Sequence, residues 1–210
     1  MKIAIVDSGI NPHHPHVGAL AGAVAITHQG GSPDLSRDTV DRLGHGTAVA
    51  GAIREKAPEA ELFAVKVFDS RLAAKTAVIL KALEWCREHS MDIVNLSLGT
   101  PNPAHRDSFS NVIGDDMLVV SAAHFLPGNL PGVIGVALDA ECPRDVFRYR
   151  DGIFYASPYP RPIPGVPVAA NLQGVSFAVA NMTGLVARVL AISPRASIRE
   201  SLIAQAGFSY

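Results

Sequence analysis

The chain has 210 residues, 48% of them hydrophobic and 18% charged, which suits one domain with a sizeable buried core and excludes intrinsic disorder. Its 18 lysines and arginines face 19 aspartates and glutamates, for −1 at pH 7, so no basic field exists to hold a nucleic-acid backbone or an anionic membrane. Two cysteines, Cys86 and Cys142, argue against a disulfide scaffold or a structural zinc site and point to a reducing compartment.

The chain opens Met1-Lys2-Ile3-Ala4-Ile5-Val6, the start of a strand with no long apolar stretch and no small-residue cleavage site. Neither a signal peptide nor a propeptide is expected, and the working class is a cytoplasmic protein. The mean hydropathy of +0.22 reflects short buried segments and not a membrane span. Nearly continuous apolar runs predict strands at Ile3 to Val6, Leu62 to Val67, Asp92 to Leu96, Met117 to Val120 and Val133 to Leu138. An alanine-rich segment predicts a helix from Thr47 to Lys56. Leu72, Thr76, Ile79, Leu80, Leu83 and Cys86 recur at intervals of three and four, with Lys75, Lys81, Glu84 and Arg87 between them, and predict an amphipathic helix over 72–89.

From Cys142 to Gln173 the pattern dissolves into proline, glycine, tyrosine and arginine, and it reads as an ordered irregular loop. Ser176 to Ile192 is apolar nearly all round, the mark of a central buried helix. A short terminal helix begins near Pro194 and Ser197, with Ile198, Leu202 and Ile203 on its apolar side. Strands buried on both faces and separated by helices predict an α/β fold. We expect a doubly wound, mostly parallel sheet with helices on both faces, forming a single domain over 1–210.

Three segments carry candidate chemistry. In Ala4-Ile5-Val6-Asp7-Ser8-Gly9 an acidic residue ends a buried strand, where sites form in open α/β sheets, although Asp7 alone reads first as a turn cap. In Gly44-His45-Gly46-Thr47 a histidine stands between glycines as a small-residue helix begins, a setting that holds an imidazole rigidly. In Gly174-Val175-Ser176-Phe177 a serine lies where free N–H groups and the positive end of a helix dipole favour an oxyanion, or where it serves as an N-cap.

Together the three segments resemble the Asp, His and Ser motifs of the subtilisin-like serine proteases, in that family's chain order. Ala57 to Val67, Ile93-Val94-Asn95-Leu96-Ser97-Leu98-Gly99 and Ser193 to Leu202 resemble further family segments, so the likeness covers nearly the whole chain. The resemblance implies Ser176 as nucleophile, His45 as general base and then acid, and Asp7 as the group that orients the imidazole. It also implies a substrate-binding strand at Ser97, Leu98 and Gly99, with Ala122, Ala123, His124 and Phe125 opposite it. The implied partner is a peptide or protein substrate, and a partner protein is left open; no cofactor is expected, and no metal, because candidate ligands are neither dense nor correctly spaced.

The departures matter. Where the family usually reads Ala-Ala-Gly-Asn, this chain reads Ala122-Ala123-His124-Phe125, so the usual oxyanion-hole asparagine is absent. Loss of that donor costs about 10²–10³ in rate, a magnitude known from a member of this family. Asn129 and His124 are candidate replacements, and the Ser176 backbone N–H is the donor that remains. Val175, Phe177, Ala180 and Asn181 stand where the family commonly has Thr, Met, Pro and His. No carboxylate cluster resembles a calcium loop, so Asp34, Asp38 and Asp41 read as solvated loop residues. His13-His14-Pro15-His16 reads as a structural turn and not a metal site. The expected function is a narrow-specificity intracellular processing endopeptidase. The competing expectation is a pseudoprotease that binds peptides or a partner without cutting them.

Overall fold

The computed structural model describes residues 1–29, 32–114 and 117–207. The strands are β1 (Lys2–Asp7), β2 (Gly22–Gln29), β3 (Ser32–Ser36), β4 (Glu61–Lys66), β5 (Ile93–Leu96), β6 (Leu118–Ala122), β7 (Ile134–Leu138), β8 (Phe147–Arg150) and β9 (Ile153–Ala156). The α-helices are α1 (His45–Lys56), α2 (Thr76–Glu88), α3 (Arg106–Ile113), α4 (Val175–Leu190) and α5 (Ile198–Gln205). All strands join one sheet in the order β3-β2-β4-β1-β5-β6-β7-β9-β8. Neighbours from β2 through β9 pair in parallel, and only the outermost pairs, β2 with β3 and β8 with β9, are antiparallel.

Alternation along the strands assigns the layers. Ile3 and Ile5 of β1 face one core with α1, α4 and α5, whereas Ala4 and Val6 face a second core with α2 and α3. The apolar strand runs are therefore buried on both sides for most of their length, with Leu138 at the end of β7 exposed, as a doubly wound sheet requires. Helices α1 and α4 share one face and approach closely, because a Cβ on Gly184 would lie 2.7 Å from Lys56 Cβ. Both helices start at the carboxyl edge of the parallel strands, which brings His45 and Ser176 to the same rim. Among the described residues no helix is long and apolar enough to cross a membrane.

The second helix begins at Thr76 and not at residue 72; Leu72 precedes it and is 54% exposed. The predicted irregular region at 142–173 contains the β8–β9 hairpin, turned by Asp151 and Gly152 with φ of +53° and +82°. The β2–β3 hairpin and α3 are further elements that the apolar-run reading passed over.

Candidate active site

Asp7 ends β1 and His45 opens α1, and their approach depends on glycine. A Cβ on Gly46 would lie 2.1 Å from the Gly9 carbonyl oxygen and 3.2 Å from Asp7 Cβ. With no side chain intervening, Asp7 Oδ1 lies 2.7 Å from His45 Nδ1 and also accepts the Ser8 N–H at 2.7 Å. An ionised carboxylate only accepts, so Nδ1 carries the ring proton and Nε2 is the basic nitrogen. Asp7 is fully buried, and its Oδ2 has no partner among the described residues. Burial of the His45 ring by itself lowers its pKa, but the hydrogen bond to Asp7, the Asp7 charge and the Asp41 charge outweigh it. The imidazole is held above its ordinary 6.5.

Asp41 is not the solvated loop residue that the sequence suggested. It is half-buried, and its Oδ1 accepts the Ser8 hydroxyl at 2.8 Å and the N–H groups of Leu43 at 3.1 Å and Gly44 at 2.9 Å. Its Oδ2 accepts the Thr47 N–H at 2.9 Å and the Thr47 hydroxyl at 2.5 Å. The Ser8 hydroxyl in turn accepts the Gly46 N–H at 2.9 Å. One carboxylate thus ties the first turn of α1 to the end of β1, around the Asp7–His45 contact. Asp34 and Asp38 are exposed, and Asp38 pairs with Arg42 at 2.9 Å.

Ser176 lies in the first turn of α4, after Gly174 at φ +143°. The N–H groups of Val175 and Ser176 have no acceptor among the described residues, the ordinary state of a helix start. The Ser176 hydroxyl donates to the Ser97 carbonyl at 3.3 Å, and the Ser97 hydroxyl donates to the Ser176 carbonyl at 3.2 Å. The nucleophile candidate is therefore turned toward Ser97, while the His45 ring packs 5.4 Å, centroid to centroid, from Phe177. Buried Asn95 supports this pair by donating from Nδ2 to the Ser97 hydroxyl at 2.9 Å.

Residues 97–100 continue from β5 beyond the sheet. Leu98 accepts the Ser121 hydroxyl at 3.3 Å, and Thr100 exchanges two backbone bonds of 3.0 Å with Leu126. A Cβ on Gly99 would meet Phe125 Cβ at 2.6 Å, so the phenyl-bearing residue is packed directly on the strand while remaining 42% exposed. His124 is exposed, and Ala122 and Ala123 are buried. Asn129 is exposed and lines a cleft with Leu130, Gly152 and Arg199, a set that includes none of Asp7, His45 and Ser176. Asn181 was legible only as a departure from a motif. Its Nδ2 donates to the carbonyls of Ser157 and Tyr159, both at 2.9 Å, and so anchors the proline-rich loop to α4.

A model described as the Subtilase family matches residues 1–129. The chain belongs to the subtilase family. Subtilisin Savinase of Lederbergia lenta is 30% identical to this subtilase over 205 residues, covering 88% of this chain and 71% of the relative. Subtilisin E of Bacillus subtilis (strain 168) is 32% identical over 134 residues, covering 59% of this chain and 34% of that protein. The aligned part thus spans about a third of the length of Subtilisin E. A solved structure described as a cold adapted subtilisin-like serine proteinase shares the fold, with a TM-score of 0.71 at 18% identity, over 96% of this chain and 79% of that one. Among the described residues, no group of three or more His, Cys, Asp or Glu side chains is placed to hold a metal ion.

Proposed function

We propose that this subtilase is a serine endopeptidase with a narrow substrate range that acts inside the cell on a peptide precursor through Ser176, His45 and Asp7. The observation that carries the reading is the buried 2.7 Å contact between Asp7 Oδ1 and His45 Nδ1, at the same sheet edge as Ser176. That contact leaves Nε2 as the base. Rotation of the Ser176 side chain from Ser97 toward His45 lets the hydroxyl attack the scissile carbonyl carbon as its proton passes to Nε2. The carbonyl oxygen becomes an oxyanion beside the free Ser176 N–H. Collapse breaks the C–N bond, and His45 returns the proton to the leaving amine. Water repeats the sequence on the acyl-enzyme, with His45 again taking and returning a proton.

Packing of Phe125 on Gly99 favours a shallow site for the residue before the cut, hence a small side chain such as Ala, Ser or Gly there. One observation favours a second reading. The hydroxyl of Ser176 is engaged by Ser97, which, with Phe125 at the position where the resemblance puts the usual asparagine donor, suits a non-cutting peptide-binding domain. A fluorophosphonate probe decides between the two. Labelling of the parent and none of Ser176→Ala supports the endopeptidase, and a folded parent that does not label overturns it.

A further inference from the structure

The inference rests on the endopeptidase reading and extends it to the leaving side of the substrate. A cleft of about 430 Å³ begins beside Gly44, the residue before His45, and reaches Leu172, four residues before Ser176. It contains none of residues 97–100. On the endopeptidase reading His45 hands its proton to the leaving amine, and a cleft that borders the neighbouring Gly44 and excludes residues 97–100 is where the chain beyond the cut would run. Its walls combine apolar surface with a cation. Ile163, Val166 and Leu172 of the proline-rich loop line it while remaining 38–46% exposed.

Arg161 lies among them, half-buried, and among the described residues its guanidinium makes one hydrogen bond, a long 3.5 Å contact to the His16 carbonyl. Among the described residues Arg161 has no carboxylate partner. Asp41 also lines the cleft, with its oxygens engaged by the neutral donors of Ser8, Leu43, Gly44 and Thr47, so its charge disfavours an anion at that end and leaves the Arg161 wall for one. Beside Arg161, the His14 Nδ1 accepts the His16 N–H at 3.2 Å, which places the proton of the neutral ring on Nε2 as a second donor. The geometry points to a leaving-side site in this cleft for an aliphatic residue accompanied by a carboxylate, with Arg161 as the anion anchor and His14 Nε2 as a supporting donor. The carboxylate is either an acidic side chain or the free end of the peptide.

Binding to Ser176→Ala protein tests this without requiring turnover. Four acetylated peptides share three alanines and a leucine: one continues to a glutamate amide, one to a glutamine amide, one ends at leucine as the free acid and one as its amide. Calorimetry is expected to favour at least one carboxylate peptide over its neutral counterpart by about tenfold or more. The glutamate and free-acid arms tell the two sources of the carboxylate apart. Arg161→Gln in the same background is expected to erase that preference while the melting temperature stays at the parent value. Equal binding of charged and neutral peptides, absence of binding by all four, or an undiminished preference in Arg161→Gln overturns the site. Fluorophosphonate labelling of the parent reports separately on the endopeptidase reading, so failure of one is not mistaken for failure of the other.

Discussion

Replacing Gly46 with alanine adds one carbon at a backbone crossing with no room for it. The new Cβ would sit 2.1 Å from the Gly9 carbonyl oxygen, whereas real Cβ atoms essentially never come within 3.0 Å of another heavy atom. Either α1 or the turn after β1 must retreat by about 0.9 Å, and that retreat acts on the two segments bearing Asp7 and His45. The contact of 2.7 Å between Asp7 and His45 would open to about 3.6 Å, outside the reach of a working hydrogen bond. A displacement of that size costs about 10²-fold in turnover, and overpacking costs about 1–3 kcal/mol in stability. The expected result for Gly46→Ala is a melting temperature lower by several degrees and fluorophosphonate labelling slowed by about 10²-fold. Parent-level labelling together with a parent melting curve would refute the argument that this glycine sets the Asp7–His45 distance.

The protonation of His45 sets two further pH effects. Its pKa is held above 6.5, so kcat/KM on a peptide substrate should rise with pH along a limb centred above that value. The stability contributed by the imidazolium should be complete below about pH 6.5 and be lost as pH rises through the folded pKa; His45→Gln should flatten this part of a melting-temperature profile. Asp41→Asn places an NH₂ against donors that now find a carboxylate. It should lower stability by about 1–3 kcal/mol and move the acidic limb of kcat/KM downward, and an unmoved limb would limit Asp41 to a scaffold role. Phe125→Gly should widen the residues accepted before the cut toward Leu and Phe in a peptide-library profile; an unchanged profile removes Phe125 as the block.

The parallel core was legible because doubly buried strands must be continuously apolar, as Ile3 to Val6 and Leu62 to Val67 are. The edge hairpins follow a different rule. In β8 and β9, Phe147-Arg148-Tyr149-Arg150 and Ile153-Phe154-Tyr155-Ala156 flank Asp151-Gly152, a turn pair whose positive φ values suit the twist of a hairpin, and that dipeptide was the available signal. For α3, Phe109, Val112 and Ile113 at helical spacing were the corresponding signal. In the site, Asp7, His45 and Ser176 stand out through their glycine neighbours. Asp41 does not, since its role depends on Ser8, 33 positions away, and on backbone donors that no side-chain pattern reveals. The direction of the Ser176 hydroxyl likewise depends on Ser97, a contact across 79 positions.

The place of β1 in the middle of the sheet also orders assembly. Its two neighbours are β4 and β5, so a chain emerging from its N-terminus holds this strand half-paired until Leu96 is available. The antiparallel edge pairs join strands close in sequence, whereas the central parallel pairings must wait on long intervening segments, the slower kind of closure. Helix α4 follows every strand in the chain, so Ser176 is made after the whole sheet. A chain still lacking α4 would carry the Asp7–His45 contact without the serine that, on the proposed mechanism, it serves.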